Sequence, residues 1–203
     1  MKLIGNGAEA RVYLDAKKNI VLKRRIEKGY RITEIDKKLR VRRTRREAKV
    51  LAKLGDICPD VVDVFDNDIS MNYLEGPMVK DVVDGMIKSK SLKIFKLVGE
   101  KVSKMHSMNV IHGDLTTSNM IVLGNDVKLI DFGLSFSTDK AEHKAVDVHL
   151  FKQALESKHH EHFKIYFESF LKGYKKGNID YSEVIDRLEK VEKRGRYKRR
   201  VGA

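Results

Sequence analysis

The first third of the chain has the residue pattern of short β-strands joined by turns, interrupted by one helix. Apolar and polar residues alternate in short runs between turn-forming segments such as Gly5-Asn6-Gly7 and 15–19. Over residues 33–54 the apolar positions change to a helical spacing among many charges, and Gly55 follows as a helix C-cap. The predicted strands are 3–4, 10–14, 20–23, 61–65 and 69–74.

The rest of the chain is predicted to be mainly helical from Val79 onward. Residues 91–108 carry apolar side chains on one side, as expected for a helix packed against a core. Two short strands, 120–123 and 127–130, are joined by a good hairpin turn and interrupt the helices. The helical pattern then returns over about 146–192.

Strands dominate before residue 75 and helices after it, which predicts two lobes in an α+β fold. No Pro- or Ser-rich linker and no internal repeat divides the 203-residue chain, so a single domain is expected. The predicted parts are an N-lobe over residues 1–74, a C-lobe over 75–192 and a basic C-terminal tail over 193–203.

Composition places the chain among globular proteins and narrows its compartment. Hydrophobic residues make up 41% of it, and no run approaches the roughly 18 apolar residues of a membrane span. A single cysteine, Cys58, cannot form an internal disulfide, which favours a reducing, cytoplasmic location. Cys58 is expected to be a packed or turn residue rather than a nucleophile, because reactive cysteines need a recognisable charged setting.

The net charge of +13 favours an anionic partner such as a nucleic acid or an acidic protein. Solubility alone is the competing explanation. The positive charge is concentrated in two runs, one with Arg40, Arg42, Arg43, Arg45 and Arg46 and one over residues 193–200. Attraction to phosphate is a sufficient reason for such clusters.

The strongest chemical signal is the segment His112-Gly113-Asp114-Leu115-Thr116-Thr117-Ser118-Asn119, which the pattern places in a loop before the hairpin. Phosphoryl transfer needs an acceptor for the proton of the nucleophile and oxygen ligands for Mg²⁺. Asp114 is the candidate acceptor, and Asn119 is a candidate Mg²⁺ ligand.

A second segment, Asp131-Phe132-Gly133, directly follows the second hairpin strand. A carboxylate at a strand end before a glycine can reach a metal ion. The order D-x-x-x-x-N, hairpin, D-F-G is that of the protein kinase catalytic loop, and the two motifs together are far more specific than either alone. The sequence therefore predicts a two-lobed, minimal protein-kinase-like fold that uses ATP and Mg²⁺, with Asp131 as catalytic metal ligand.

The N-lobe supplies the other expected parts of such a site. The segment Gly5-Asn6-Gly7-Ala8-Glu9-Ala10 follows the glycine-loop pattern with an alanine in the last place, which suits backbone contacts to phosphates. Lys23 ends a strand as the phosphate-binding lysine of kinases does. Arg24, Arg25 and Lys28 are nearby, so this assignment depends on the strand register. Glu47 is the preferred ion-pair partner of Lys23, and Glu34 is its rival.

Several further residues have weaker expected roles. The stretch 71–76 matches the kinase hinge, where Asn72 and Leu74 are the expected backbone contacts to adenine. His112 is expected to be structural, and His106 to be buried on its helix. We expect the cluster His159-His160-Glu161-His162 to be a solvated face rather than a metal site. We expect Asp147 to anchor the catalytic loop.

At these residues the chain resembles the small kinase-like ATPases of the KEOPS complex, the PRPK-like family of Kae-associated kinases. The resemblance spans essentially the whole chain and is carried by the glycine loop, Lys23, Glu47, the 112–119 segment and 131–135. The basic end 194–202 also fits. Ordinary kinases carry a long activation segment and an A-P-E motif after D-F-G, and this chain has no A-P-E.

The resemblance implies a role in making threonylcarbamoyl-adenosine in tRNA. It implies two protein partners, the threonylcarbamoyl-transferase subunit of the complex and a small second subunit. It also implies ATPase activity coupled to a partner, with protein Ser/Thr phosphorylation as a second activity. We expect tRNA to contact the basic surface and the C-terminal tail.

Three other interpretations remain open at this point. One is a kinase-shaped scaffold that binds tRNA and partner proteins without chemistry. Another is a RIO-like kinase. The third is a small-molecule phosphotransferase, although such chains are longer and have extra helices for a substrate pocket.

Overall fold

A computed structural model describes residues 1–177 and 180–201, without the side chains of residues 194–201. The chain divides into two compact units. Unit 1 comprises Met1–Glu75 and Ile130–Gly133, and unit 2 comprises Gly76–Leu129 and Leu134–Ala203. The predicted α+β class is confirmed, with a sheet in the first unit and helices in the second. The D-F-G segment belongs with the first unit, whereas the sequence pattern assigned it to the C-lobe.

Unit 1 is built on a five-stranded antiparallel sheet in the order β1-β2-β3-β5-β4. A helix, α1 (Thr33–Leu54), packs against β4 and β5. Because side chains alternate across a strand, residues 23 and 25 share one face of β3 and residue 24 lies on the other. The strands are β1 (Lys2–Asn6), β2 (Ala10–Asp15), β3 (Ile20–Arg25), β4 (Val61–Phe65) and β5 (Asp68–Asn72).

Helix α1 has the predicted bounds, and its C-terminal half supplies the core of unit 1. Leu51 and Leu54 are almost fully buried, whereas the apolar Ile35 in the first turn is exposed. Gly55 caps the helix with its N–H bonded to the carbonyl of Leu51. Cys58 is buried, and its thiol donates to that same carbonyl at 3.3 Å, so it is the packed residue the sequence predicted.

Unit 2 is organised around two closely packed helices, α3 (Lys88–Ser107) and α5 (Phe163–Gly177), which run in the same direction. A methyl group at Gly99 would lie 2.0 Å from the carbonyl oxygen of Phe170, and one at Gly173 would lie 1.9 Å from that of Lys96. Only glycine permits this spacing. The elements of unit 2 are α2 (Val79–Val82), α3 (Lys88–Ser107), β6 (Val110–Ile111), β7 (Met120–Leu123), β8 (Asp126–Leu129), β9 (Phe136–Ser137), α4 (Ala141–Lys158), α5 (Phe163–Gly177) and α6 (Tyr181–Val201).

The structure differs from the sequence pattern at several boundaries. Helix α4 begins at Ala141 rather than near Val146, because its first turns bury small or charged residues instead of large apolar ones. Helix α6 continues to Val201, beyond the predicted end near Glu192. Strands β6 and β9 are two residues each and show no detectable period. None of the described helices is long and apolar enough to cross a membrane.

Candidate active site

The glycine loop, residues 5–10, connects β1 to β2 and is fixed from two sides. Within it, the N–H of Gly7 donates to the carbonyl of Ala10 at 3.0 Å. The carbonyl of Ala8 accepts a hydrogen bond from the Lys28 ammonium. The carboxylate of Glu9 pairs with Arg43 of α1 at 2.8 Å. The side chain of Glu9 is thus tied to the helix, and the backbone of the loop remains the part suited to phosphate.

Lys23 lies at the centre of a buried network of charges in unit 1. Its ammonium is 2.6 Å from Oε1 of Glu47 and 2.7 Å from Oδ1 of Asp131. Burial by itself would lower the pKa of Lys23, but the carboxylates of Glu47 and Asp131 outweigh it and raise the pKa above its ordinary value. Lys23 is therefore held protonated, as a phosphate-binding lysine must be.

The alternatives left open for this pair are now resolved. Glu34 is exposed in the first turn of α1, and Glu47 is the buried partner of Lys23. Arg24 points away from the network and pairs with Asp68 at 2.6 Å. Arg25 lies on the same strand face as Lys23 and binds Oε2 of Glu47 at 2.5 Å. Sequence reasoning gave Arg25 no role.

Asp131 adopts φ = 63°, a left-handed conformation that few residues other than glycine occupy. Asp tolerates it better than most. Its side chain is 54% exposed, although Oδ1 also contacts Lys23. The carbonyl of Gly133, two residues on, accepts from Arg46 of α1 at 3.4 Å. The strained turn therefore presents a carboxylate that is fixed by Lys23 through Oδ1 and is otherwise about half exposed.

In unit 2 the catalytic loop is anchored from below by Asp147 of α4, as the sequence predicted. Its buried carboxylate accepts from the backbone N–H of His112 at 2.9 Å and that of Gly113 at 3.0 Å, and lies 3.0 Å from Nε2 of His106. Burial would raise the pKa of Asp147, but these hydrogen bonds and the nearby imidazoles hold it below its ordinary value. The buried position predicted for His106 is confirmed. His112 is also buried, and its Nδ1 accepts from the backbone N–H of Asp114 at 3.3 Å.

The two side chains of the catalytic loop that are candidates for the chemistry, Asp114 and Asn119, are linked to each other. Nδ2 of Asn119 donates to the backbone carbonyl and to Oδ2 of Asp114, both at 2.9 Å. Asp114 is exposed, so its carboxylate is accessible to a substrate hydroxyl or water. Since the amide nitrogen of Asn119 is used here, its oxygen is the atom left to face a cation.

A second anchor of the same loop was missed, and the prediction made for it is wrong. His159 was expected on a solvated face but is buried, with Nδ1 2.7 Å from Asp84 and Nε2 3.0 Å from the hydroxyl of Thr117. Its neighbours His160 and His162 are exposed as predicted. Only the local spacing was visible in the sequence, whereas the partners of His159 lie 75 and 42 residues away.

The predicted hinge begins where β5 ends. The backbone N–H of Asn72 donates to the carbonyl of Asp60 at 3.0 Å, so Asn72 has only its carbonyl to offer an adenine. The N–H of Leu74 donates to none of the residues that the structure describes. Of the two predicted adenine contacts, Leu74 is thus the one whose backbone N–H is available to donate to an adenine.

The chemistry of the donor set fits a cation that also binds phosphate. The described part of the chain has no group of three or more His, Cys, Asp or Glu side chains arranged to hold a metal ion alone. Mg²⁺ is commonly bound by one or two carboxylates together with substrate phosphates, rather than by an all-protein cage. Each of the two predicted ligands is by itself chemically suited to that mode, Asp131 of unit 1 by its open carboxylate and Asn119 of unit 2 by its amide oxygen.

Comparison with known proteins identifies relatives along the full length. The family model of the protein kinase domain matches residues 1–154. The KEOPS complex subunit Bud32 of Pyrococcus abyssi is 41% identical, with 98% of each chain covered. The probable serine/threonine-protein kinase BUD32 homolog of Archaeoglobus fulgidus is 37% identical, with 98% of this chain and 96% of the relative covered.

A longer relative carries the same region as one part of a larger protein. The probable bifunctional tRNA threonylcarbamoyladenosine biosynthesis protein of Methanosarcina barkeri is 40% identical over 97% of this chain. The matched region is 36% of the length of that relative. The family predicted from the glycine loop and the 112–119 segment is confirmed.

Proposed function

Because the chain belongs to the protein kinase family, and within it to the Bud32 proteins of KEOPS, we propose that it is the Mg-ATP-dependent ATPase and atypical Ser/Thr kinase subunit of such a complex. The observation that carries the proposal is the Lys23–Glu47–Asp131 network, in which the kinase lysine is paired with the helix glutamate and protonated. A scaffold without chemistry has no need of it.

The proposed roles follow from the chemistry of each side chain. Lys23, oriented by Glu47, binds the α- and β-phosphates, and backbone groups of the glycine loop cover them. Asp114 accepts the proton of the attacking hydroxyl or water. Asn119 and Asp131 are the metal ligands, and bound Mg²⁺ would neutralise charge on the transferring phosphoryl group. Leu74 and the carbonyl of Asn72 contact the adenine.

Water is the proposed main acceptor of the phosphoryl group. Only residues 134–140 separate the D-F-G segment from helix α4, and this stretch contains the two-residue strand β9. Protein kinases use a longer segment and an A-P-E motif here. A chain without that platform has little with which to hold a peptide, so ATP hydrolysis coupled to a partner is favoured and protein phosphorylation is the second activity.

The proposed pathway is threonylcarbamoyl-adenosine formation in tRNA, since one relative is named for that biosynthesis. The proposed protein partners are the threonylcarbamoyl-transferase subunit and a small second subunit of the complex. The cytoplasmic location stays a prediction from the single cysteine.

Helix α1 offers a surface for tRNA phosphates. The structure separates the basic run of the sequence into two sets, because Arg40 and Arg43 are paired with Asp36 and Glu9. The cations that face solvent form an α1 basic face, defined as Lys38, Arg42, Arg45 and Lys49.

The four side chains of the α1 basic face form no ion pair with any residue in the described ranges. They line a groove of about 760 Å³, which also contains Lys37 and Arg46 and only one acidic residue, Glu34. Such a face suits contacts to a phosphate backbone. The predicted contact between the C-terminal tail and tRNA depends on side chains of residues 193–203, most of which lie outside the part of the chain that the structure describes.

The proposed activity is tested with γ-labelled ATP and Mg²⁺, following label as free phosphate and on protein, with and without the transferase partner and tRNA. Asp131→Asn and Lys23→Met are the inactivating variants. Phosphate release that needs both residues and rises with the partner is the expected result. Label on protein alone would favour a kinase, and turnover that survives both variants, or none in the wild type, would leave the scaffold interpretation.

A further inference from the structure

Glu47 is held by two cations rather than one. Its Oε1 lies 2.6 Å from the ammonium of Lys23, and its Oε2 lies 2.5 Å from Nη2 of Arg25. All three side chains are buried, with Arg25 only 4% exposed. Each carboxylate oxygen therefore has its own charged donor, and Glu47 would stay turned into unit 1 even when Lys23 engages a phosphate.

The backbone of Arg25 is anchored to the turn between β4 and β5. Its backbone N–H donates to the carbonyl of Asn67 at 3.0 Å, and its own carbonyl accepts from the side chain of Asn67 at 3.2 Å. It also ends the strand that carries Lys23. A contact from Arg25 to Glu47 thus ties α1 to the same strand that positions the lysine.

Arg25 also lies beside the D-F-G turn. A methyl group placed on Gly133 would be 3.5 Å from Nη2 of Arg25 and 3.8 Å from Oε2 of Glu47. It would lie 3.2 Å from Oδ1 of Asp131. The guanidinium therefore fills the space between the helix glutamate and the turn that presents the metal-binding carboxylate.

Stability does not account for this arginine. A buried ion pair often contributes no more than apolar residues of the same volume, because both charges must be taken out of water. In addition, Nε of Arg25 is buried without a hydrogen-bond partner among the described residues. An unpaired buried donor is costly to keep. The position is better explained by what the guanidinium holds in place.

We propose that Arg25 is a positioning residue that keeps Glu47 directed at Lys23, so that the lysine–glutamate pair forms without a phosphorylated activation segment. In other protein kinases, activation-loop phosphorylation and the position of the corresponding helix control that pair. The segment after D-F-G is too short here for such a loop. Arg25 takes over the task from within the fold, and the inference rests on the proposed phosphoryl-transfer function.

Three variants on one strand test the proposal, with kcat and KM for ATP as readouts. Arg25→Met keeps the length of the side chain but removes the charge, and kcat/KM should fall by about 10- to 100-fold, as for other misplaced catalytic groups. Arg25→Lys should recover part of the loss. Arg24→Met is the matched control, because Arg24 is half exposed and pairs on the outer face with Asp68. It should leave both constants unchanged.

A double-mutant cycle separates positioning from a general structural role. If Arg25 acts through Glu47, then Arg25→Met should cost little further activity in a Glu47→Gln background, and both single variants should show the same division between kcat and KM. Full additivity would overturn the proposal. The proposal would also be overturned if Arg25→Met left KM unchanged and lowered kcat only in proportion to the fraction of the protein that is no longer folded.

Two further measurements keep the outcome clear. Thermal unfolding reports the folded fraction of each variant, and if Arg25→Met does not fold, Arg25→Lys and Arg25→Gln carry the same cycle. The affinity for a fluorescent ATP analogue is measured in parallel. If the wild type turns over no ATP, the proposed function fails, whereas Arg25 is still tested by nucleotide affinity: weaker binding in Arg25→Met but not in Arg24→Met supports it, and equal binding overturns it.

Discussion

Asp131 shows how one residue combines a chemical role with a backbone requirement. At φ = 63°, alanine is strained while asparagine is tolerated nearly as well as aspartate. We expect Asp131→Asn and Asp131→Ala to lose phosphate release equally, by at least about 100-fold, since both remove the carboxylate. Asp131→Ala should unfold with about 1 kcal/mol less free energy than Asp131→Asn. Chemical denaturation of both variants measures this difference, and equal stabilities would contradict it.

Lys23 supports a prediction about alkaline pH. Because its pKa is raised in the folded protein, its contribution to stability is complete below the ordinary pKa of 10.5 and is lost as the pH rises through the folded value. The free energy of unfolding of wild type minus that of Lys23→Met should therefore be constant from neutral pH to about 10 and shrink above it. Urea titrations at a series of pH values test this, and a difference that already shrinks near neutral pH would refute it.

The identity of single functional residues could be predicted where motifs fix their spacing. Asp114, Asn119 and Asp131 are candidates of that class, and Lys23 is the candidate phosphate-binding lysine from its place on a strand; their roles stay predictions. Arg25 could not be predicted, because strand alternation puts two cations on one face and only the fold shows that both reach Glu47.

Helix α1 illustrates how much an element can be predicted from its period. Its bounds could be predicted from the helical spacing together with Gly55 as the C-cap, and the buried residues of its C-terminal half recur every three or four positions. The period also separates its two faces. One face carries Glu47 toward Lys23, and the other carries the cations of the basic face. What the period could not show is that Arg40 and Arg43 are paired with the carboxylates of Asp36 and Glu9.

The catalytic loop is an element held by side chains from elsewhere, which local pattern does not reveal. Thr117→Val should remove the hydroxyl that faces Nε2 of His159 and leave a buried polar atom unpaired. The expected loss is about 1–3 kcal/mol of stability, accompanied by a lower kcat as the loop loosens. Thr33→Val, the same change at an exposed position, should have little effect. Unfolding and turnover that match the wild type in Thr117→Val would show that this anchor is dispensable.

At the scale of the whole molecule, the question is which surface carries the excess of positive side chains that gives the net charge of +13. Some of the cations add nothing to the net charge because each is paired with a carboxylate; these include Lys23, Arg25, Arg40 and Arg43. The α1 basic face is different, since its four cations form no ion pair with any residue in the described part of the chain. Net charge alone therefore does not locate a binding surface, and we restrict the proposal to the α1 basic face.

The proposal that tRNA binds the α1 basic face can be tested with two double variants of equal net charge. Lys38→Gln/Lys49→Gln neutralises both ends of the α1 basic face, which are about 16 Å apart along the helix. Lys17→Gln/Lys18→Gln removes the same charge from the exposed β2–β3 turn. If phosphates bind the helix face, the first variant should flatten the dependence of log K for tRNA on log salt by about 0.7–0.9 per lost contact, and the second should not. Identical slopes in the two variants would mean that only net charge attracts the RNA, and an unchanged slope in both would place the contact elsewhere.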